Sequence, residues 1–185
     1  MNLKEIGDSF FCDQLKEFVD KSPYMSFVLL SAILEFMGTC YRKGKGSKED
    51  TKDIFSDLIN NVGALKEYRA FKDNNNDYNY LYKYLRCGML HEMIPKKEIE
   101  LCSNRNNLSK HIIGAKELYE DMQKAWNELK FSPDVSKYIE STDALTVFDE
   151  YSGSTTSSVA VISGVSLTNG SEKNIDEEWI AATET

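Results

Sequence analysis

Between Tyr24 and about Tyr41 the chain is apolar nearly all the way round a helix. At 100° per residue, Phe27, Val28, Leu29, Leu30, Ala32, Ile33, Leu34, Phe36 and Met37 reach almost every face. Such a helix has no side to give to water and must be wrapped by other elements. In a chain of 185 residues, enough for one good core, this predicts a mainly α fold: an antiparallel bundle of four to five helices around that central one. Glu35 breaks the pattern, and burying a carboxylate unpaired costs several kcal/mol. It either accepts a hydrogen bond from Arg86 or His91, or sits at the bundle's edge and reaches solvent or a backbone amide.

The flanking segments have the periodicity the wrapping needs. Leu3, Ile6, Phe10, Phe11, Leu15, Phe18 and Val19 recur at spacings that predict one amphipathic helix, closed by Lys21-Ser22-Pro23. Arg42 to Lys48 reads as a solvated basic linker, after which Thr51 is placed to cap a helix with Ile54, Phe55, Leu58, Ile59 and Val62 on one face. Leu65, Tyr68 and Phe71 continue as a short helical piece. The clearest stripe is Ala115, Leu118, Tyr119, Met122, Ala125, Trp126 and Leu129. Phe131-Ser-Pro133 closes that helix, and a turn of helix to about Ile139 follows. Glu98–Cys102 and Lys110–Ile113, around the turn-forming run Ser103-Asn-Arg-Asn-Asn107, predict a short β-hairpin with His111 at the surface and without a role.

Charge separates the chain into two parts. Of the net charge of −8, residues 143–185 supply −7, through eight acids against Lys173 alone. We therefore expect a helical domain over residues 1–142 and an acidic, Ser/Thr/Gly-rich extension over 143–185, irregular or β-containing, with strand formers at Val159–Leu167 and an aromatic anchor at Trp179. A nearly neutral body lacks the broad basic surface of a strong non-specific nucleic-acid binder. The run Phe27–Cys40, interrupted by Glu35, falls short of the roughly 20 apolar residues of a membrane span, so no membrane contact is expected. The first eight residues lack a signal peptide's apolar centre, which points to the cytoplasm. Cysteines 12, 40, 87 and 102 form no Cys-x-x-Cys pair; neither disulfides, a structural zinc nor a cofactor is expected.

The chemistry concentrates in Asn79-Tyr-Leu-Tyr-Lys-Tyr-Leu-Arg-Cys-Gly-Met-Leu-His-Glu92, in a chain with two histidines. Asp77 or a neighbouring Asn would cap this helix and Pro95 lies beyond its end. On an α-helix, Leu81, Leu85 and Gly88 form a core stripe with Tyr84 at its edge. Arg86 falls on the opposite side, while Cys87 and His91 share a flank about 40° apart. Leu90 points outward beside a cation, which suggests a second packing surface and, most simply, a self-pairing dimer.

An Arg-x-x-x-x-His pair near the end of a late helix, after a Tyr/Leu-rich turn, resembles the motif of the HEPN superfamily of all-helical domains. Leu-Arg-Cys-Gly-Met-Leu-His-Glu is especially similar to a bacterial branch of unassigned HEPN-like proteins. The resemblance covers roughly residues 1–131. It implies a homodimer in which Arg86 and His91 of two subunits meet to cleave RNA without a metal, in phage defence or as a toxin. In that reading His91 is the general acid or base, Arg86 the phosphate clamp, and Glu35, Cys87 and Glu92 line the site. Active members usually carry a polar residue after the arginine, and Cys87 departs from that. The alternative is a non-catalytic module in which the same helices pair with themselves or with another protein. The bland reading of the motif makes Arg86 a solubilising cation and His91 a cap at a helix C-terminus.

Overall fold

The structure, a computed structural model, describes residues 1–47, 51–71, 81–96, 99–104 and 106–144. The chain divides into two units, Met1–Val147 and Phe148–Thr185. The expected strand at 159–167, the Trp179 anchor and the cap near Asp77 lie outside the described residues. The first unit runs past residue 142: Ala144 is buried, its N–H donates to the Met1 carbonyl, and Asn2 bridges Asp143.

The described residues are mainly helical with one small two-stranded sheet. In order they form α1 (Leu3–Phe10), α2 (Asp13–Lys21), α3 (Pro23–Gly44), α4 (Thr51–Asn61), a 3₁₀ helix (Gly63–Phe71), a π-wound stretch (Leu81–Arg86 and Gly88–Glu92), β1 (Glu100–Cys102), β2 (Ile112–Gly114), α5 (Ala115–Phe131) and α6 (Pro133–Ser141). The all-round apolar helix is α3, in contact with α2, α4, α5, α6 and the π-wound stretch. It is longer than the sequence run suggested: at 22 residues it is long and apolar enough to cross a membrane by length and composition, and half of its most apolar window is buried against its neighbours.

The first amphipathic segment is two helices. Phe11 ends α1, and Cys12 is extended (φ −83°, ψ 167°) before α2 starts. The break lets α1 lie on α6 while α2 lies on α3 and α5, which a straight helix could not do. Asn2 caps α1: its side chain accepts from the Glu5 N–H and the Glu5 carboxylate accepts from the Asn2 N–H, both near 3 Å. Asp8 then ties α1 to α5, accepting from Trp126 Nε1 at 2.9 Å and Lys130 Nζ at 2.8 Å.

The α5 stripe is buried at all seven expected positions. Leu65, Tyr68 and Phe71 repeat every third residue, the period of a 3₁₀ helix, and all three are buried. That uncommonly long 3₁₀ run is held at both ends. Glu128 accepts from the N–H groups of Gly63 (2.7 Å) and Ala64 (2.9 Å), and the Arg69 guanidinium donates to the carbonyls of Ile59 and Asn60.

Two expectations are corrected. Arg42 is not part of a solvated linker: it lies on α3, buried, with ion pairs to Asp53 (3.4 Å) and Asp57 (3.3 Å) of α4. The expected hairpin is a parallel pair, with Glu100, Leu101 and Cys102 opposite Ile112, Ile113 and Gly114. Asn107 and Ile112 exchange backbone hydrogen bonds, and His111 takes a left-handed conformation (φ 57°), so a small turn closes first and delivers β2 alongside β1 in the same direction. Asn106 pins the turn, accepting from the Gly114 N–H (2.7 Å) and donating to the Tyr68 hydroxyl (3.0 Å). His111 is half-buried, its ring 5.2 Å from that of Phe71.

Gly7 is where α1 meets Trp126, and a Cβ there would overlap the indole ring. Because that ring is also fixed by Asp8, Gly7→Ala should cost about 1–3 kcal/mol through overpacking. A urea titration should show a lower midpoint with an unchanged slope; an unchanged midpoint would mean that α1 docks loosely.

Candidate active site

The stretch around Arg86 is built on a core stripe. Leu81, Leu85, Gly88 and Met89 are buried, Tyr82, Tyr84, Arg86, Cys87 and Leu90 are half-buried, and His91 and Glu92 are exposed. Its winding differs from the α-helix expected. A π-helix closes its hydrogen bonds at i→i+5, so residues five apart lie about one turn above each other. On an α-helix they would be about 140° apart. Arg86 closes the first π-wound piece and His91 lies in the second, with the α-helical Cys87 between them, and Arg86 Nη1 lies 3.4 Å from His91 Nε2.

Four contacts hold this segment. Gly88 admits the following loop, since a Cβ there would stand 2.6 Å from the Ile94 carbonyl oxygen. Met93 adopts a left-handed conformation (φ 57°) and its N–H reaches back to the Gly88 carbonyl, five residues earlier. The Tyr24 hydroxyl, at the start of α3, donates to the Met93 carbonyl at 3.1 Å, and the Lys96 N–H donates to that of Tyr84 at 3.0 Å.

Glu35 supplies the carboxylate. From α3 its two oxygens accept from Arg86 Nε (2.9 Å) and Nη2 (3.1 Å), a fork-on-fork pair with the side chains 24% and 17% exposed. Burial works against the guanidinium's charge, but the hydrogen bonds and charge of Glu35 outweigh it and hold the Arg86 pKa above the ordinary arginine value. The guanidinium also lies over the Tyr82 ring, 5.5 Å from its centroid, and that ring stands edge-on to Phe55 at 5.5 Å.

Glu35, Arg86 and His91 thus form one cluster. Cys87 adjoins it in the chain, whereas Glu92 forms its own ion pair with Lys96 at 3.2 Å. Leu90 is half-buried and outside the hydrophobic core cluster. Tyr82 and Tyr24 were not singled out in the sequence; the i,i+4 spacing of Tyr82 and Arg86 was a readable signal for the first. Among the described residues, no three His, Cys, Asp or Glu side chains are grouped so as to hold a metal. No family model, curated protein or solved structure matches this chain.

Chemically the cluster offers a fixed cation and an accessible imidazole. Arginine holds phosphate oxygens through an always-charged, multidentate face, and histidine can accept or donate a proton near neutral pH. With two of its N–H groups on Glu35 and one toward His91, the guanidinium keeps the outer N–H of each Nη for an oxyanion.

Because the Glu35–Arg86 pair is largely withdrawn from water, its members should depend on each other. A double-mutant cycle of Glu35→Ala and Arg86→Ala, read by denaturant unfolding, should give a coupling of about 1–3 kcal/mol. A coupling below about 0.5 kcal/mol would mean that the pair is no more than a screened surface contact.

Proposed function

We propose that this protein is a metal-independent endoribonuclease of the HEPN type, built on an antiparallel helical bundle and acting as a homodimer in bacterial defence or as a toxin. The observation that carries the reading is the approach of Arg86 Nη1 to His91 Nε2 on a guanidinium anchored by Glu35. The motif resemblance supplies the reaction class. RNA is cut by its own 2'-hydroxyl once a base takes that proton and a cation offsets the charge gathering on phosphate. His91 serves as the base or acid and Arg86 as the clamp, with Glu35 keeping Arg86 in place. Cys87 and Glu92 border the site, and a second copy, approaching over Leu90, brings a second arginine and histidine. The protein works in the cytoplasm.

A second reading is favoured by a different feature. Tyr24, Met25 and Leu29 on α3 and Met93 and Ile94 after the π-wound stretch are large apolar side chains left between 44% and 62% exposed. The Tyr24–Met93 hydrogen bond joins the two groups beside the Arg86 cluster. Exposed apolar side chains so gathered suit a protein-binding surface. In this reading the chain is a non-catalytic, dimeric interaction module.

Incubation with labelled RNA in excess chelator separates the two. Wild type should cut, and His91→Ala and Arg86→Ala should each lose about 10²–10⁴-fold in rate. Equal cutting by all three, or none by wild type, would remove the nuclease reading. Light scattering on Leu90→Glu should show a monomer where wild type is a dimer; an unchanged dimer would move the interface elsewhere.

A further inference from the structure

A guanidinium is flat, and two contacts along one of its edges fix a line rather than a plane. Glu35 supplies such an edge, its oxygens accepting from Arg86 Nε at 2.9 Å and Nη2 at 3.1 Å. Hydrogen bonds to a carboxylate tolerate a broad range of angles, so the fork alone leaves the group free to tip about that line. The third polar contact, from Nη1 to His91 Nε2, is 3.4 Å long and ends on an exposed side chain, too slack to stop the tipping. Tyr82 supplies what is missing. Its ring centroid lies 5.5 Å from Arg86 Cζ, inside the roughly 6 Å over which an aromatic face attracts a cation. The ring is itself braced, for Phe55, fully buried on α4, meets it near edge-on with centroids 5.5 Å apart and planes at 71°. Leu81 and Leu85, both buried, anchor the backbone on either side of it. The piece that carries Tyr82 and Arg86 packs on both α3 and α4, so the guanidinium is gripped at its edge from one helix and on its face from the other.

We propose that Tyr82 is a positioning residue for Arg86: its ring, braced by Phe55, sets the tilt of the guanidinium plane and so the direction of the outer N–H groups, whereas Glu35 sets only where the group sits. The consequence for the reaction rests on reading Arg86 as the phosphate clamp. A tipped guanidinium carries the same charge, so a bound phosphate is still attracted. Its outer N–H groups point elsewhere, and stabilisation of charge that develops in a transition state depends on that aim. Loss of the ring therefore falls on kcat and leaves KM nearly unchanged.

The first test needs no RNA. In the isotope-labelled full chain, NMR relaxation gives the order parameter of the Arg86 Nε–H bond, with Arg42 and Arg69, held by contacts elsewhere, as internal controls. In the wild type it should lie near the rigid value of about 0.85, and in Tyr82→Leu it should fall below about 0.6 while the two controls stay put. Tyr82→Phe keeps the ring face and should restore the rigid value. Phe55→Leu, which removes the brace and leaves the ring, should fall between, and it carries the test should Tyr82→Leu not fold. A rigid Arg86 in both leucine variants, an equal loss in Tyr82→Phe, or parallel loosening of Arg42 and Arg69 would each overturn the proposal. The second test is cleavage of labelled RNA: Tyr82→Leu should lower kcat about 10–100-fold with KM within about threefold, and Tyr82→Phe should recover kcat. A raised KM at unchanged kcat would make Tyr82 a binding contact and overturn the positioning role. Selective loosening of Arg86 in a wild type that cuts no RNA would remove the nuclease reading and leave the ring's hold on Arg86 standing; cleavage with Arg86 equally rigid in every variant would do the reverse.

Discussion

A carboxylate on the most apolar helix of the chain has to be answered by a cation, and that requirement organises the site. Glu35 lies on α3, which most of the other helices pack against, so whatever pairs with it is drawn to the middle of the fold. Arg86 meets it through two hydrogen bonds, and the stretch carrying Arg86 is thereby fixed against α3. Tyr24 fixes the same stretch further along, through Met93. The two anchors stand eleven residues apart on one rigid helix, a spacing of about 16 Å at the α-helical rise. The geometry of Arg86 and His91 is thus inherited from α3 rather than set by a flexible loop.

Winding does the rest. On an α-helix Arg86 and His91 would face different directions, and their spacing of five would mean little. Here they lie in two π-wound pieces either side of Cys87 with their side chains 3.4 Å apart, and Gly88 with the left-handed Met93 lets the chain turn back over the segment's end. Such windings are rare and gather at functional sites, which fits the coincidence here of an unusual backbone, a withdrawn ion pair and one of the chain's two histidines.

Much of the fold was legible because it rests on periodicity. The α5 stripe could be read residue by residue, and the all-round apolar character of α3 placed it at the centre. What could not be read were choices made by partners distant in sequence. The break at Cys12 answers to α6 and Trp126 and leaves the apolar spacing of Leu3 to Val19 undisturbed. The parallel pairing of β1 and β2 depends on Asn106 bonding Gly114 and Tyr68, while the residues between the strands look like those of an ordinary hairpin turn. Arg42 sits in a run of lysines and glycines that resembles a linker, and only Asp53 and Asp57 on α4 reveal its role. At the site, the residue types were visible in the sequence and the pairing of Glu35 with Arg86 was one of two open readings. The π winding was not legible, because apolar residues at 81, 85 and 89 suit either helix.

The account's central claim is that this winding, and not chance proximity of side chains, brings Arg86 and His91 together. Scalar couplings across backbone hydrogen bonds in isotope-labelled protein report it directly. The Met93 amide nitrogen should couple to the carbonyl carbon of Gly88, five residues back. Coupling instead to the carbonyl of Met89 would show an ordinary α-helical turn at the end of the segment that carries His91, and contradict the account.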